Sequence, residues 1–230
     1  HLMATNSRGL ARGGINSESK NPSGGIIRRK PGTDEPNGVL EESAAYPIRR
    51  FMNEPIKDPL VGVREAMRVY AQNGITTVQD GAASRAVVEL LKAADRAGFI
   101  DLDVLIYPMG QIDGMIAEQD YEFGDYKNRV RVNGVKLMLD GSPQGKTAFI
   151  SKPYFKPPDG QDSSYRGYPA IPQARIDELI LFYLENRIPV LAHANGDAAA
   201  DMLIEAVRKA NPSSDHRTVM IHAQTIREDQ

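Results

Sequence analysis

Three apolar segments, each interrupted by one residue able to bind metal, place the strongest constraint on how this chain folds. Two share a pattern, VLAHA with His193 and VMIHA with His222, and a third, GVKLMLDG, contains Lys136. Apolar runs without polar alternation are typical of parallel strands covered on both faces. In parallel α/β folds the functional residues follow the carboxyl ends of the strands. The sequence therefore predicts an α/β protein in which these three residues lie at one edge of a sheet.

Residues 58–230 alternate regularly between helical and strand-like segments. Helical stripes separate five apolar runs, at 75–79, 102–107, 131–139, 189–192 and 218–221. Five strands separated by helices favour a parallel sheet. Within this part, residues 142–170 are rich in Gly, Pro, Ser and Tyr and are predicted to form a functional loop, because structureless loops of this length are uncommon inside domains.

Residues 1–57 have a different composition, rich in Gly, Pro, Asn, Ser and charged residues. Pro31-Gly32 and Pro36-Asn37-Gly38 are turn signals. We interpret this part as an irregular segment with short helices that precedes the α/β part.

The overall composition indicates an ordinary folded protein with a globular core. Hydrophobic residues make up 41% and charged residues 25% of the 230 residues, and the net charge is −2. This unclustered, nearly neutral charge argues against nucleic acid or an anionic membrane as partner, and no apolar stretch approaches the roughly 20 residues of a membrane span. The chain has no cysteine, which excludes thiolate metal sites and cysteine nucleophiles. We favour a cytoplasmic location, although the sequence carries no positive signal for one.

Lys136 is a basic residue within an otherwise apolar strand. Burial of an ammonium group is costly, so the pKa of this lysine should fall unless it is paired. A neutral amine can form a Schiff base with a carbonyl, or react with carbon dioxide to give a carbamate that bridges metal ions. The structural alternative is a lysine paired with Asp140 or extending from an edge strand into solvent.

His193 and His222 occupy equivalent positions of successive strands. Either histidine alone would more often be a core residue with a satisfied hydrogen bond, but the repeated position favours metal ligation. Neutral imidazole binds Zn²⁺, Fe²⁺, Mn²⁺ and Ni²⁺, so the spacing does not select a metal. His216 follows Asp215 in a polar turn, and we assign it no function.

Together the motifs GVKLMLDGSPQGKTA, VLAHANGDAAADMLIEAV and VMIHAQTI resemble the amidohydrolase superfamily. The branch that they resemble most includes N-substituted formamide deformylase. The first 42 residues add to this likeness, which spans nearly the whole chain: His1, Ala4, Asn6, Ser7 and Leu10 match one conserved-looking segment, and PSGG and GVLEE match another.

The resemblance implies a (β/α)₈ TIM-barrel metallohydrolase with a small β-sandwich built from both chain ends. It implies a carbamylated Lys136 as bridging ligand, with His193 and His222 as ligands from strands five and six. The cofactor would be one or two divalent metal ions, with zinc preferred. Further residues would line the substrate pocket or position the ligands, although a structural role is an equally simple reading of each; they are His1, Asp80, Asp140, Tyr154, Asn195 and Asp197.

Two features of the family pattern are missing from this sequence. No His-x-His pair, expected on the first barrel strand, is present, and the general-base aspartate is expected beyond Gln230. The matching segments correspond to barrel strands two to six. We therefore expect an internal fragment that binds metal weakly or not at all, lacks amidase turnover when isolated, and associates through its open edges as a possible homo-oligomer.

For the parent protein the resemblance implies metal-dependent hydrolysis of a carbon–nitrogen bond in a small-molecule amide, formamide or cyclic amide. Two alternatives remain at this point. A Schiff-base barrel lyase would use Lys136 and need no metal, but it would leave the histidines unexplained. A catalytically dead binding scaffold would need neither a metal ion nor a reactive Lys136.

Overall fold

The computed structural model describes residues 1–52, 58–110, 121–213 and 215–230, and within these ranges the chain forms nine strands and six α-helices. The strands are β1 (Leu2–Ala4), β2 (Gly25–Arg29), β3 (Pro36–Glu42), β4 (Thr77–Ala83), β5 (Asp103–Pro108), β6 (Val130–Val132), β7 (Val135–Met138), β8 (Val190–Ala194) and β9 (Val219–His222). The helices are α1 (Ser7–Arg12), α2 (Tyr46–Arg49), α3 (Pro59–Gln72), α4 (Arg85–Arg96), α5 (Gln173–Glu185) and α6 (Asp197–Ala210).

The N-terminal part forms a three-stranded antiparallel sheet in the order β1-β3-β2. Leu40 at its centre pairs with Met3 on one side and Ile27 on the other, and its side chain is fully buried. A regular sheet is therefore present in the part for which an irregular segment, residues 1–57, was expected. The expectation was wrong because the strands are short and pair with segments distant in the sequence. Their apolar patterns are therefore weaker in the sequence than the turn signals between them. The expected boundary at residue 57 lies outside the described residues.

The remaining strands are parallel and follow one another in chain order, in the sheets β4-β5-β6 and β7-β8-β9. A parallel bridge between Met109 and Lys136 joins the two sheets. β6 and β7 are separated only by Asn133 and Gly134, so they act as one bent strand between β5 and β8. The five parallel strands predicted from the sequence are therefore present.

Gly134 provides the bend between β6 and β7. The neighbouring amide of Asn133 donates to the carbonyl of Ile106 on β5, at 3.0 Å, and the amide of Val135 donates to the carbonyl of Pro189, at 2.9 Å. A Cβ atom at Gly134 would lie 2.2 Å from the carbonyl oxygen of Pro189. Only glycine permits this approach of the two backbones.

Two apolar cores cover the outer face of the parallel strands. Residues of β7 and β8, including Leu137 and Ala192, pack with α5 and α6, whereas residues of β4, β5 and β6 pack with α3 and α4. Side chains alternate between the faces of a strand, so Lys136 and His193 point to the opposite, inner face. This alternation positions the candidate site.

Two helices begin at residues whose side chains cap them. The Asp58 side chain caps α3, with Pro59 in the first turn, and Ser84 caps α4. Asp197 is the first helical residue of α6, after Gly196 at the cap position. No helix in the described ranges has the length and apolar character needed to cross a membrane.

Residues 142–170 connect β7 to α5 without regular secondary structure but with internal hydrogen bonds. The amide of Tyr154 donates to the carbonyl of Tyr165, at 2.9 Å. The amide of Ala170 returns to the carbonyl of Leu139 at the end of β7, at 2.7 Å. The loop is thus anchored beside the carboxyl ends of the strands.

Gly134→Ala is expected to lower the free energy of unfolding by about 1–3 kcal/mol, because the added methyl group forces two paired backbones apart. Gly81→Ala is the matched control, since a Cβ there meets only the end of the Gln79 side chain, at 3.4 Å. Urea denaturation measures both variants. Equal stability of the two variants would contradict the role given to Gly134.

Candidate metal centre

Lys136, His193 and His222 come from three adjacent parallel strands. Met138, the last residue of β7, pairs in register with His193, and Ala194 pairs with His222, so the two histidines lie near the carboxyl ends of β8 and β9. Lys136 pairs with Leu191 and lies two residues before the end of β7. All three line one open cavity of about 570 Å³. The three residues selected from the sequence therefore line the same cavity.

His222 reaches this cavity through an unusual backbone conformation. Register alone would place His222 on the face of Ala194, opposite to His193 and its partner Ile221. The φ angles of His222 and Ala223 are 71° and 47°, in the left-handed region that non-glycine residues rarely adopt. As a result, the rings of His222 and His193 have centroids 4.6 Å apart and meet edge to face. The strained turn thus brings both imidazoles to one site.

Lys136 is a buried amine without a compensating charge. The residue is 3% exposed, and among the described residues no carboxylate lies within ion-pairing distance of its Nζ atom. Burial lowers the pKa of Lys136 from 10.5 to about 8. The ion pair with Asp140 that the sequence offered as an alternative is absent, because the Asp140 carboxylate accepts backbone hydrogen bonds instead. A partly neutral, nucleophilic amine is the chemical consequence.

His193 is oriented by the backbone that follows β7. Its Nε2 atom lies 2.7 Å from the carbonyl oxygen of Gly141. A carbonyl only accepts hydrogen bonds, so Nε2 carries the proton and donates it, and the lone pair is on Nδ1. Burial lowers the pKa of His193 to about 4, so the ring is neutral at neutral pH. A ligand histidine whose other nitrogen donates to a carbonyl has this arrangement.

Asp140 lies behind the site rather than on the cavity wall. Its carboxylate accepts backbone hydrogen bonds from Asn195 (2.9 Å), Gly196 (2.7 Å) and Phe149 (3.0 Å). Burial raises the pKa of Asp140 to about 6, against the lowering effect of these hydrogen bonds. The carboxylate also lies 3.4 Å from Nε2 of His193. We regard the Gly141 contact as the hydrogen bond of this ring, because it is shorter and the ring is neutral.

Asn195 adds a second contact to the same backbone turn. Its Nδ2 atom donates to the carbonyl oxygen of Gly141, at 2.7 Å, and lies 3.2 Å from Nε2 of His193. Its Oδ1 atom is buried and accepts no hydrogen bond within the described ranges. Asn195 therefore supports the position of His193 from outside the cavity.

Asp80 lines the cavity, although its register places it on the face of β4 that is directed towards α3 and α4. It pairs in register with Ile106 of β5, which packs against α3 and α4. Asp80 thus contributes to the cavity wall at the β4 edge. Its Oδ1 atom accepts a hydrogen bond from the amide of Ala82, at 3.1 Å.

Tyr154 and Asp197, both predicted pocket residues, do not contribute to the cavity wall. The hydroxyl of Tyr154 donates to the carbonyl of Ala148, at 2.9 Å, inside the loop. Asp197 accepts hydrogen bonds from the amide of Ser151 (2.8 Å) and the guanidinium of Arg227 (2.7 Å). Burial acts to raise the pKa of Asp197, but these hydrogen bonds lower it overall. Both residues anchor the loop.

His1, directly before β1, lies beside His193 but is not one of the residues that line the cavity. Its ring centroid lies 5.5 Å from that of His193, and its Nδ1 atom lies 2.9 Å from Oε1 of Glu42. Glu42 and its neighbour Thr147 were not identified from the sequence. They are 105 positions apart, and their hydrogen bond of 2.6 Å leaves no local signal in the sequence.

The donor set fits a metal ion in part. Within the described ranges no three side chains of His, Cys, Asp or Glu converge on one point. Two neutral imidazoles do converge, beside a lysine that would supply an oxygen ligand only after conversion to a carbamate. Imidazole and carboxylate-type oxygen ligands suit Zn²⁺ and related divalent ions.

Comparison with known proteins identifies similar sequences and folds. The profile of the amidohydrolase family matches residues 1–230. The chain is 26% identical over 247 residues to "Putative amidohydrolase YtcJ" of Bacillus subtilis. This match covers 98% of this chain and 42% of that protein. It is 23% identical over 241 residues to "Protein LONG AFTER FAR-RED 3" of Arabidopsis thaliana. This match covers 98% of this chain and 40% of that protein.

Two solved structures share the mixed α/β fold. Both are described as uncharacterized metal-dependent hydrolases. The one from Pyrococcus furiosus has a TM-score of 0.70 and 24% identity, and the one from Pyrococcus horikoshii has a TM-score of 0.69 and 22% identity. Each match covers 100% of this chain but only 45% and 44% of the other chain. The chain thus spans less than half the length of the relatives it matches.

Lys136→Met is expected to raise the free energy of unfolding at pH 7 by about 2 kcal/mol in metal-free buffer without carbon dioxide, because folding no longer buries an ammonium group. The pKa of Lys136 is about 8 in the folded protein and 10.5 ordinarily, so the unfolded chain binds more protons between these pH values. The stability of the wild type therefore rises through this window, and the advantage of the variant shrinks.

Urea denaturation at pH 7 and pH 10 measures this effect. Lys152→Met, at an exposed lysine, is the matched control and should change little at either pH. If the unfolding free energy of Lys136→Met at pH 7 is lower than or equal to that of the wild type, burial of the amine does not destabilise the fold.

Proposed function

Because this chain belongs to the amidohydrolase family, we propose that it carries part of the metal centre of a hydrolase that cleaves a carbon–nitrogen bond. The substrate class is a small-molecule amide, formamide or cyclic amide. The activity is that of the longer protein, whose relatives extend beyond the part matched by this chain.

The observation that carries this proposal is the convergence of Lys136, His193 and His222 on one cavity. A buried, unpaired amine is unfavourable for the fold, and so is a left-handed turn at His222. Strain of both kinds at one place is typical of a functional site rather than of a structural core. Metal ligation accounts for all three residues together.

In this proposal Lys136 acts as a carbamate. A pKa of about 8 leaves about a tenth of the amine neutral at pH 7, far more than for an ordinary lysine. The neutral Nζ atom adds to the carbon of carbon dioxide: the N–C bond forms, the electron pair of one C=O π bond moves to its oxygen, and nitrogen releases one proton to solvent. The product is an anionic oxygen ligand on the same strand.

The two histidines would hold the ion, for which we propose Zn²⁺. The lone pair on Nδ1 of His193 is the one left for ligation, because Nε2 donates to Gly141. When bound, a divalent ion lowers the pKa of a water molecule and polarises the substrate carbonyl. The chain's own contribution is to hold the imidazoles neutral and in place, and Asp140 and Asn195 would support the position of His193.

We further propose that the parallel strands are five consecutive strands of a (β/α)₈ barrel, numbers two to six. Their chain order and the helices on one face support this arrangement. The loop 142–170, anchored at Leu139, would border the substrate. The open strand edges would pair with further strands or with a second copy.

The test is a Zn²⁺ titration of the chain in the presence of ¹³C-labelled bicarbonate. We expect weak binding accompanied by a carbamate carbon resonance, both lost in Lys136→Met. Affinity should fall by more than about tenfold in His193→Ala and His222→Ala, since even outer-shell changes cost 10–100-fold. His216→Ala is the matched control, as this histidine lies outside the cavity.

Two results would contradict the proposal. Zinc affinity that does not depend on His193 and His222 would place the metal elsewhere. Trapping of Lys136 by a carbonyl compound and borohydride, without any effect of metal, would favour the Schiff-base lyase, for which the lowered pKa of the amine is the supporting observation.

A further inference from the structure

Glu42 is a partly buried carboxylate that the proposed metal chemistry does not use. It ends β3 with φ 47° and ψ −119°, a conformation that non-glycine residues rarely adopt. Its side chain is 14% exposed. Backbone strain persists where the surroundings over-determine it, and such residues cluster at functional sites. Glu42 therefore requires an explanation beyond the folding of the N-terminal sheet.

The Glu42 carboxylate bridges two separate segments at the candidate metal centre. Its Oε1 atom accepts a hydrogen bond from the hydroxyl of Thr147, at 2.6 Å, and lies 2.9 Å from Nδ1 of His1. A Cβ atom at Gly141 would lie 2.4 Å from the same oxygen. The carbonyl of Gly141 accepts the hydrogen bond from His193, so Glu42 packs directly on the backbone that orients this candidate ligand.

His1 is placed beside the candidate ligands with one polar atom left over. A carboxylate only accepts hydrogen bonds, so Nδ1 of His1 carries a proton toward Glu42, and Nε2 is the remaining polar atom of the ring. Within the described part of the chain no group forms a hydrogen bond with Nε2. The side chain is 37% exposed, and its ring lies 5.5 Å from that of His193.

We propose that Glu42 is a positioning residue that holds His1 at the rim of the metal centre, where Nε2 of His1 contacts a hydrogen-bonding group of the amide substrate next to the scissile bond. This inference rests on the proposed hydrolase function. It assigns part of substrate recognition to the N-terminal sheet. A purely structural bridge would account for Thr147 but not for the exposed imidazole beside His193.

The first test measures binding of N-benzylformamide to the zinc-loaded chain by ligand-observed NMR. His1→Asn keeps an N–H group directed at Glu42 but lacks Nε2, and Glu42→Gln keeps the shape of the positioning residue without its charge. Each variant should bind the probe about tenfold more weakly, the upper range for one lost hydrogen bond. Zinc affinity and thermal midpoint should match those of Glu35→Gln, a control at an exposed carboxylate of the same sheet.

Three results would overturn the proposal. They are unchanged probe binding in both variants, absence of probe binding in the zinc-loaded wild type, and loss of zinc together with the probe, which would make His1 and Glu42 part of the metal site. Failure of the wild type to bind zinc would instead contradict the proposed function.

The second test does not depend on metal or on the folding of any variant. Long-range ¹H–¹⁵N NMR spectra of the metal-free chain should show His1 protonated at Nδ1. An unprotonated Nδ1 at His1 would remove the contact with Glu42, and with it the positioning role.

Discussion

The alternation of side chains along β7 and β8 is the constraint on which the rest of the structure depends. Leu137 and Ala192 face outward into the core with α5 and α6, so Lys136 and His193 must face inward. Burial on that face removes water from the amine and the imidazole without supplying a counter-charge to the amine, which lowers the pKa of both groups. The fold thereby produces a neutral, ligand-ready site as a direct result of strand geometry.

Hydrogen bonds behind the cavity convert this placement into a defined orientation. Asp140 accepts three backbone hydrogen bonds that tie the end of β7 to the start of α6 and to the loop after β7. Gly141 follows directly, and its carbonyl orients His193. On the other side of Gly141 lies Glu42 of the N-terminal sheet, at a distance that excludes any side chain at the glycine. The N-terminal sheet and the parallel strands therefore meet at the candidate ligand.

The parallel strands and the three inner residues could be predicted from the sequence because both depend on local patterns. Apolar runs mark buried parallel strands, and a polar residue within such a run marks the inner face or the carboxyl end. The antiparallel sheet of residues 1–42 could not be predicted in this way, since Leu40 pairs with Met3 and Ile27 across intervening turns. The role of Glu42 depends on Thr147, 105 positions away, and the direction of the His222 ring depends on a backbone angle. Neither leaves a sequence signal.

The central claim is that Lys136, His193 and His222 form one metal centre, and diffraction at the zinc absorption edge tests it most directly. Crystals of the chain soaked with Zn²⁺ and bicarbonate should show an anomalous peak beside Nδ1 of His193 and the His222 ring, with electron density for a carboxylate on Nζ of Lys136. An anomalous peak confined to His216, or an unmodified Lys136 beside an ordered zinc ion, would contradict the account.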